Sequence, residues 1–243
     1  MNLYREQGVV LRTWKLGEAD RIVVLLTQGE GKVRAVAKGV RKTKSRFGGR
    51  LEPFSHVDLS LYRGRELDIV TQAEVIAPFR ALREDYDRVV AGTAMLEAVD
   101  QVAQEREAAI RLYLLLVRAL RALDSGPRDP SVVLDAFLLK LMALEGYRPA
   151  LDECANCGTS DRPTRAFSIA RGGGLCEHCR TGEESTLDAA TMPLLAALLG
   201  DDLDTTASAE PAPASRREAG ALVKGYVEYH LDRRLRAYPL VAR

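Results

Sequence analysis

Four cysteines constrain this chain more than any other feature. Cys154-Ala155-Asn156-Cys157 and Cys176-Glu177-His178-Cys179 are two Cys-x-x-Cys pairs separated by the 18 residues Gly158 to Leu175, and no other cysteine occurs. A Cys-x-x-Cys turn aims two thiolates at one ion, and a second such turn completes a tetrahedron around Zn²⁺. The spacing predicts one structural Zn²⁺ on Cys154, Cys157, Cys176 and Cys179. Two disulfides would use the same residues, but the N-terminal MNLYREQGVV lacks the basic stretch and apolar run of a secretory signal. Four cysteinates close the coordination sphere, so the metal is expected to staple a segment too short to build its own core. His178 reads as a solvated loop residue rather than a fifth ligand.

Charge is distributed unevenly. Residues 1–80 hold 15 Lys/Arg against 9 Asp/Glu, and the remainder holds 20 against 25, although the whole chain is only +1. Lys32, Arg34, Lys38, Arg41, Lys42, Lys44, Arg46 and Arg50 follow Glu30 with no acidic residue before Glu52. A polyanion is the expected partner of such a run, in preference to a solvated loop with no ligand. No apolar stretch is long enough to span a membrane, and the expected compartment is the cytoplasm, where thiols stay available to metal.

The basic run sits among strands. Val9–Trp14 and Arg21–Thr27 are rich in β-branched and apolar residues, and the turn Gln28-Gly29-Glu30-Gly31 folds the second run onto Lys32–Lys38. That third strand alternates: Val33, Ala35 and Ala37 share one face, and Lys32, Arg34, Val36 and Lys38 the other. It suits a barrel that lays a charged strand along a phosphate backbone. Gly39–Pro53 is expected to be a mobile basic loop. Val57–Tyr62 and Leu67–Ile76 alternate again around Arg63-Gly64-Arg65. Five short strands with one long basic loop match an OB-type barrel, with an SH3-like barrel the alternative on strand count alone.

The period changes after Pro78. Leu82, Tyr86, Val89, Thr93, Leu96 and Ala103 recur at helical steps. A second helix is expected over about Glu107–Leu123, with Ile110, Tyr113, Leu114, Val117 and Leu120 on one apolar face. A third opens at Asp129-Pro130 and ends at Gly146, with Val133, Phe137, Leu141 and Leu144 as its stripe. The cysteine segment interrupts these helices, with Gly172-Gly173-Gly174 supplying backbone freedom before Cys176. Helix resumes near Asp188–Leu199, Asp201–Ala214 reads as a surface loop, and Ser215-Arg216-Arg217-Glu218 reads as a capping box for a last helix to about Arg236. Arg233, Arg234 and Arg236 at its end suit the helix dipole. The expected architecture is α+β. A five-stranded OB-fold barrel occupies 1–78, a helical bundle 79–150, the four-cysteine zinc segment 151–181, and C-terminal helices packing on the bundle 182–243.

Catalytic constellations are missing from the pattern. Gly29-Glu30-Gly31-Lys32 lacks phosphate-loop spacing, and His56, His178 and His230 are scattered. The expectation is a binding protein and not an enzyme. Candidate nucleic-acid contacts are Arg12, Lys32, Arg34, Lys38, Arg41, Lys42, Lys44, Arg46, Phe47 and Arg50, with Phe47 the better-placed base stacker and Tyr62 a weaker one. Trp14 shares a strand face with Arg12. It reads equally as a stacking platform or as barrel core.

These residues resemble a known family, the bacterial RecO DNA repair proteins. The likeness rests on Val10-Leu11-Arg12, on Gly17-Glu18-Ala19-Asp20 leading into Ile22–Thr27, and on Gly31 with Val36-Ala37-Lys38-Gly39-Val40-Arg41. It continues through Lys44-Ser45-Arg46 and Gly49-Arg50-Leu51-Glu52-Pro53-Phe54, and the order of elements agrees over essentially the whole chain. Trp14 stands where many relatives have tyrosine, and the cysteines are not universal in the family. The resemblance implies a recombination mediator that binds single- and double-stranded DNA, anneals complementary strands and works with RecR. It also implies contact with the acidic C-terminal tail of the single-stranded-DNA-binding protein, help in loading RecA, and a nucleoid-associated location. Arg118, Arg121 and Lys140 are candidate receivers of that tail. A zinc-ribbon RNA- or transcription-associated binding protein is the alternative.

Overall fold

The computed structural model describes residues 3–182 and 184–240. The chain forms two compact units that interleave in sequence. Of the described residues, the first comprises those up to Glu84 together with Leu96–Arg121, and the second comprises Asp85–Met95 and those from Ala122 on.

The first unit contains β1 (Leu3–Leu16), β2 (Asp20–Thr27), β3 (Gly31–Ala37), β4 (His56–Tyr62) and β5 (Asp68–Ala77), closed in the order β1-β2-β3-β5-β4. All pairs are antiparallel except β3 with β5. That parallel closure after a long β3–β4 connection identifies the OB topology and removes the SH3-like alternative. β1 is long because it serves two partners. Its first half pairs with β4 and its second with β2, with a register shift between Val10 and Arg12. The connection before β4 meets the shift, through Phe54 N–H to the Val10 carbonyl and Val10 N–H to the Ser55 carbonyl.

Alternation explains the barrel core. Val33, Ala35 and Ala37 are buried while Lys32, Arg34 and Val36 are only partly so. Val10, Val23, Leu25, Leu59, Leu61 and Val70 complete the interior. On β2 the outward residues Ile22, Val24 and Leu26 are buried as well, so this strand is covered on both faces. The segment after α2 (Tyr86–Val102) joins β3 at its edge: Lys32 N–H donates to the Gln104 carbonyl and Arg106 N–H to the Lys32 carbonyl. Gly31 (φ +65°) permits this approach, because a Cβ there would overlap the Glu107 carbonyl.

The helices begin with a break absent from the predicted run. α1 (Arg80–Glu84) stops before Asp85, whose carboxylate accepts the Arg88 N–H that opens α2. α3 (Ile110–Asp124) buries Tyr113, Val117 and Leu120 as expected, but leaves Ile110 and Leu114 exposed.

In the second unit, α4 (Pro130–Leu144) is capped by Asp129, whose side chain accepts Ser131 N–H, and is buried nearly all round. Leu144 alone of its predicted stripe is exposed. α5 (Thr191–Gly200) follows the cysteine segment, and the expected surface loop contains the short helix α6 (Leu203–Ala207). α7 (Pro213–Leu231) departs from the sequence reading at both ends. Pro213 starts it two residues before Ser215, so Ser215 and Arg216 are buried inside the helix and form no capping box. Arg216 pairs with Asp135 at 2.6 Å and with Asp129 at 3.1 Å, while Ser215 Oγ donates to Asp188. Asp232, left-handed at φ 50°, ends α7, so Arg233, Arg234 and Arg236 lie beyond the helix.

Candidate nucleic-acid interface and metal centre

The basic loop is anchored, contrary to the expectation of mobility. Phe47 and Leu51 are each 1% exposed and belong to the barrel core, because the β3–β4 connection folds both side chains into the barrel, with Val40 packed against that core. Phe47 therefore offers no face to a base; a guanidinium, that of Arg46, lies 4.8 Å from its ring centroid. Gly39 N–H bonds the Asp20 carboxylate, and Arg41 donates to the carbonyls of Gly17 and Glu18, so the loop base is tied to the β1–β2 turn.

The remaining candidates divide in two. Lys38, Arg41, Lys42, Lys44, Arg46 and Arg50 are exposed, and among the described residues none of them enters an ion pair. Arg12, Lys32 and Arg34 instead meet carboxylates. Arg12 pairs with Asp100 at 2.8 Å, Lys32 with Asp100 at 3.6 Å, and Arg34 with Glu105 at 3.7 Å. Trp14 is partly exposed beneath Arg12, 5.0 Å from guanidinium carbon to ring centroid, so it is not barrel core. Tyr62 is 44% exposed.

The network around Asp68 has no local signal in the sequence. Buried Asp68 accepts from Tyr4 Oη, from Gly64 N–H and from Arg106, which also reaches Glu30. Burial and this bond push the Tyr4 phenol well above its ordinary range. His56 is buried with Nε2 2.7 Å from Tyr113 Oη; burial, reinforced by the charge of Arg121, pushes it down to about 4. Lys140 is committed, donating to the carbonyls of Leu198 and Leu199 at the end of α5, whereas Arg118 and Arg121 are exposed.

The four cysteines converge. β6 (Thr164–Ser168) and β7 (Gly173–Cys176) form a hairpin that carries Cys176 back to the first pair. The four Sγ atoms lie within 4.8 Å of one another, and Cys157 and Cys176 are 3.9 Å apart. A disulfide needs about 2.05 Å. Four thiolates at about 2.3 Å from a tetrahedral ion stand about 3.8 Å apart, so the cage fits a metal. Each turn is shaped locally: Gly158 N–H returns to the Cys154 carbonyl, and Cys179 N–H to that of Cys176. Cys176 N–H points at Cys154 Sγ and Asn156 Nδ2 at Cys179 Sγ. Burial opposes ionisation of Cys154, but amide donors from Cys176, Cys157 and Asn156 outweigh it and hold this thiol below its usual range. His178 is exposed and outside the group. The glycines matter here for space as much as for freedom. A Cβ on Gly173 would overlap the Ala150 carbonyl, and one on Gly174 would press on Thr164.

An OB barrel with an anchored basic loop, joined in one chain to helices and a four-cysteine centre, defines a protein built on a nucleic-acid-binding fold with a metal-capable hairpin. The family described as Recombination protein O N terminal matches residues 1–79, and that described as Recombination protein O C terminal matches residues 83–239. A curated DNA repair protein RecO from Nocardioides sp. is 50% identical over 246 residues, covering 99% of this chain and 100% of its own. Those of Streptomyces avermitilis and Streptomyces coelicolor are 49% and 48% identical over 251 residues, covering all of both chains. The chain belongs to the RecO family of DNA repair proteins. Among the described residues, no helix is long and apolar enough to cross a membrane.

Proposed function

We propose that this chain is a recombination mediator that binds single- and double-stranded DNA and anneals complementary strands without turning over a nucleotide. The observation that carries the reading is the set of six exposed cations, free of ion pairs among the described residues, on a loop whose base is plugged into the barrel. Such a surface meets phosphates without reading bases, so it holds strands of any sequence together. Family membership supports the rest: work with RecR, contact with the acidic tail of the single-stranded-DNA-binding protein, and help in loading RecA. Exposed Arg118 and Arg121 suit an acidic tail. The centre at Cys154, Cys157, Cys176 and Cys179 is proposed to hold one structural Zn²⁺, since four thiolates leave no open position.

The test is annealing of complementary strands coated with single-stranded-DNA-binding protein, without ATP or magnesium. The chain should accelerate duplex formation, and deleting the acidic tail should abolish the effect. Lys38→Glu with Arg41→Glu should weaken DNA binding and flatten its salt dependence. Failure to accelerate annealing, or cleavage of the strands, would refute the mediator reading.

A further inference from the structure

Arg12 lies just past the register shift of β1 and makes two contacts with one guanidinium. Its Nε meets the Asp100 carboxylate at 2.8 Å, and its Cζ stands 5.0 Å from the Trp14 ring centroid. The two partners differ in freedom: the Arg12 side chain is 58% exposed and that of Asp100 19%. Asp100 is pinned from the other side, because Lys32 Nζ donates to its backbone carbonyl at 2.7 Å and faces its carboxylate. Arg12 can therefore swing while Asp100 stays.

We propose that Arg12 and Trp14 form a nucleotide subsite for single-stranded DNA, which Asp100 keeps closed by occupying the place of a backbone phosphate. The inference rests on the reading that the barrel unit binds DNA, and deepens it. A carboxylate and a phosphate oxygen present the same acceptor to a guanidinium. The ion pair of an exposed arginine is weak, so an incoming phosphate that sheds counterions competes with it effectively. One movement then does two jobs. When Arg12 turns to the phosphate it leaves both Asp100 and the face of Trp14, and the indole becomes free to stack on a base. Duplex DNA, whose bases are already stacked, gains the phosphate contact but not the stacking. The neighbouring loop cations bind in either state, so Asp100 sets the preference for single strands and not the bare ability to bind.

Trp14 is the only tryptophan in the chain, so its fluorescence reports the subsite directly. The full-length protein is titrated with end-labelled oligothymidylate and with a labelled duplex of equal length, recording label anisotropy and tryptophan emission together. Oligothymidylate should quench Trp14 as anisotropy rises, and the duplex should raise anisotropy without the quench. Asp100→Asn should tighten oligothymidylate binding about three- to tenfold, because no ion pair then has to break before Arg12 meets the phosphate. Arg12→Gln added to Asp100→Asn should erase that gain and flatten the salt slope by about 0.7, one phosphate fewer on a single strand. Glu107→Gln, an equal change of charge in the same unit, should leave the affinity unmoved. Binding of oligothymidylate with unchanged tryptophan emission overturns the inference and leaves DNA binding intact. So does an Asp100→Asn protein that loses thermal stability with affinity unaltered, the behaviour of a mere clip. Flat anisotropy for the wild-type chain overturns the DNA-binding reading itself.

Discussion

Replacing Phe47 separates anchoring from stacking. Its ring is 1% exposed inside a core shared with Leu51, Leu59 and Leu61. Deleting such a ring costs about 3–5 kcal/mol in transfer and cavity terms. The strands can survive that loss by letting the loop go, since ordering each loop residue costs about 1–2 kcal/mol and Phe47 is, with Leu51, one of its two fully buried anchors, beside the partly buried Val40. Phe47→Ala should therefore leave a folded barrel, lower its melting temperature, and weaken DNA binding by roughly 5- to 30-fold, because the six cations are no longer pre-arranged. Phe47→Leu keeps most of the buried volume and should cost less than about 1.5 kcal/mol, with near-normal affinity. Leu51→Ala should resemble Phe47→Ala, although leucine cannot stack. The assay is fluorescence anisotropy on labelled single strands beside circular-dichroism melting. A well-folded Phe47→Leu protein with the binding defect of Phe47→Ala would refute the anchoring argument and return Phe47 to the DNA surface.

Three further outcomes are expected. Cys176→Ser should lower bound zinc, measured by a metal-release assay, and loosen the β6–β7 hairpin while the barrel's amide protection persists, because the proposed ion would supply most of the segment's stability. Arg216→Met should destabilise the second unit by about 3–5 kcal/mol in urea unfolding, since it takes the guanidinium away from Asp135, whose side chain is 0% exposed; adding Asp135→Leu should recover part of the loss. His56, held near 4 when folded against an ordinary 6.5, stays neutral in the native chain while the unfolded chain takes up a proton. Stability from this group is thus complete above about pH 6.5 and is lost as pH falls toward 4, and His56→Gln should flatten that part of a melting-temperature profile.

What was legible in the sequence was local. The five strands follow from alternation and glycine turns; β2 to β5 lie within about one residue of their expected bounds, whereas β1 starts at Leu3 and not Val9, because its first half pairs with β4. The cysteine cage was readable because ligand spacing along the chain dictates the geometry of each turn. Features decided by distant neighbours were not readable. Phe47 looked solvent-facing because it is surrounded by cations, and only barrel closure shows that the loop has an apolar plug. Ser215-Arg216-Arg217-Glu218 mimics a capping box, yet Pro213 begins the helix first and Asp129 and Asp135 draw Arg216 inward. No local signal marks Asp100 as the counter-charge of Arg12 and Lys32, because it is one acidic residue among several on a helix.

The Arg216–Asp135 pair also imposes a timetable on synthesis. Asp135 lies on a helix buried nearly all round, and its arginine follows 81 residues later, its Tyr238 partner 103 residues later. At usual translation speeds that is a wait of roughly 4–16 s for the arginine. The barrel strands are complete by Ala77, so the nascent chain can close its N-terminal β-structure long before Arg216 exists to pair with Asp135. During that interval α4 is a hydrophobic segment whose Asp135 lacks its Arg216 partner, the kind of transiently exposed surface that chaperones hold. Slow codons between residues 135 and 216 would lengthen this exposure, whereas the same codons after residue 238 would have no such effect.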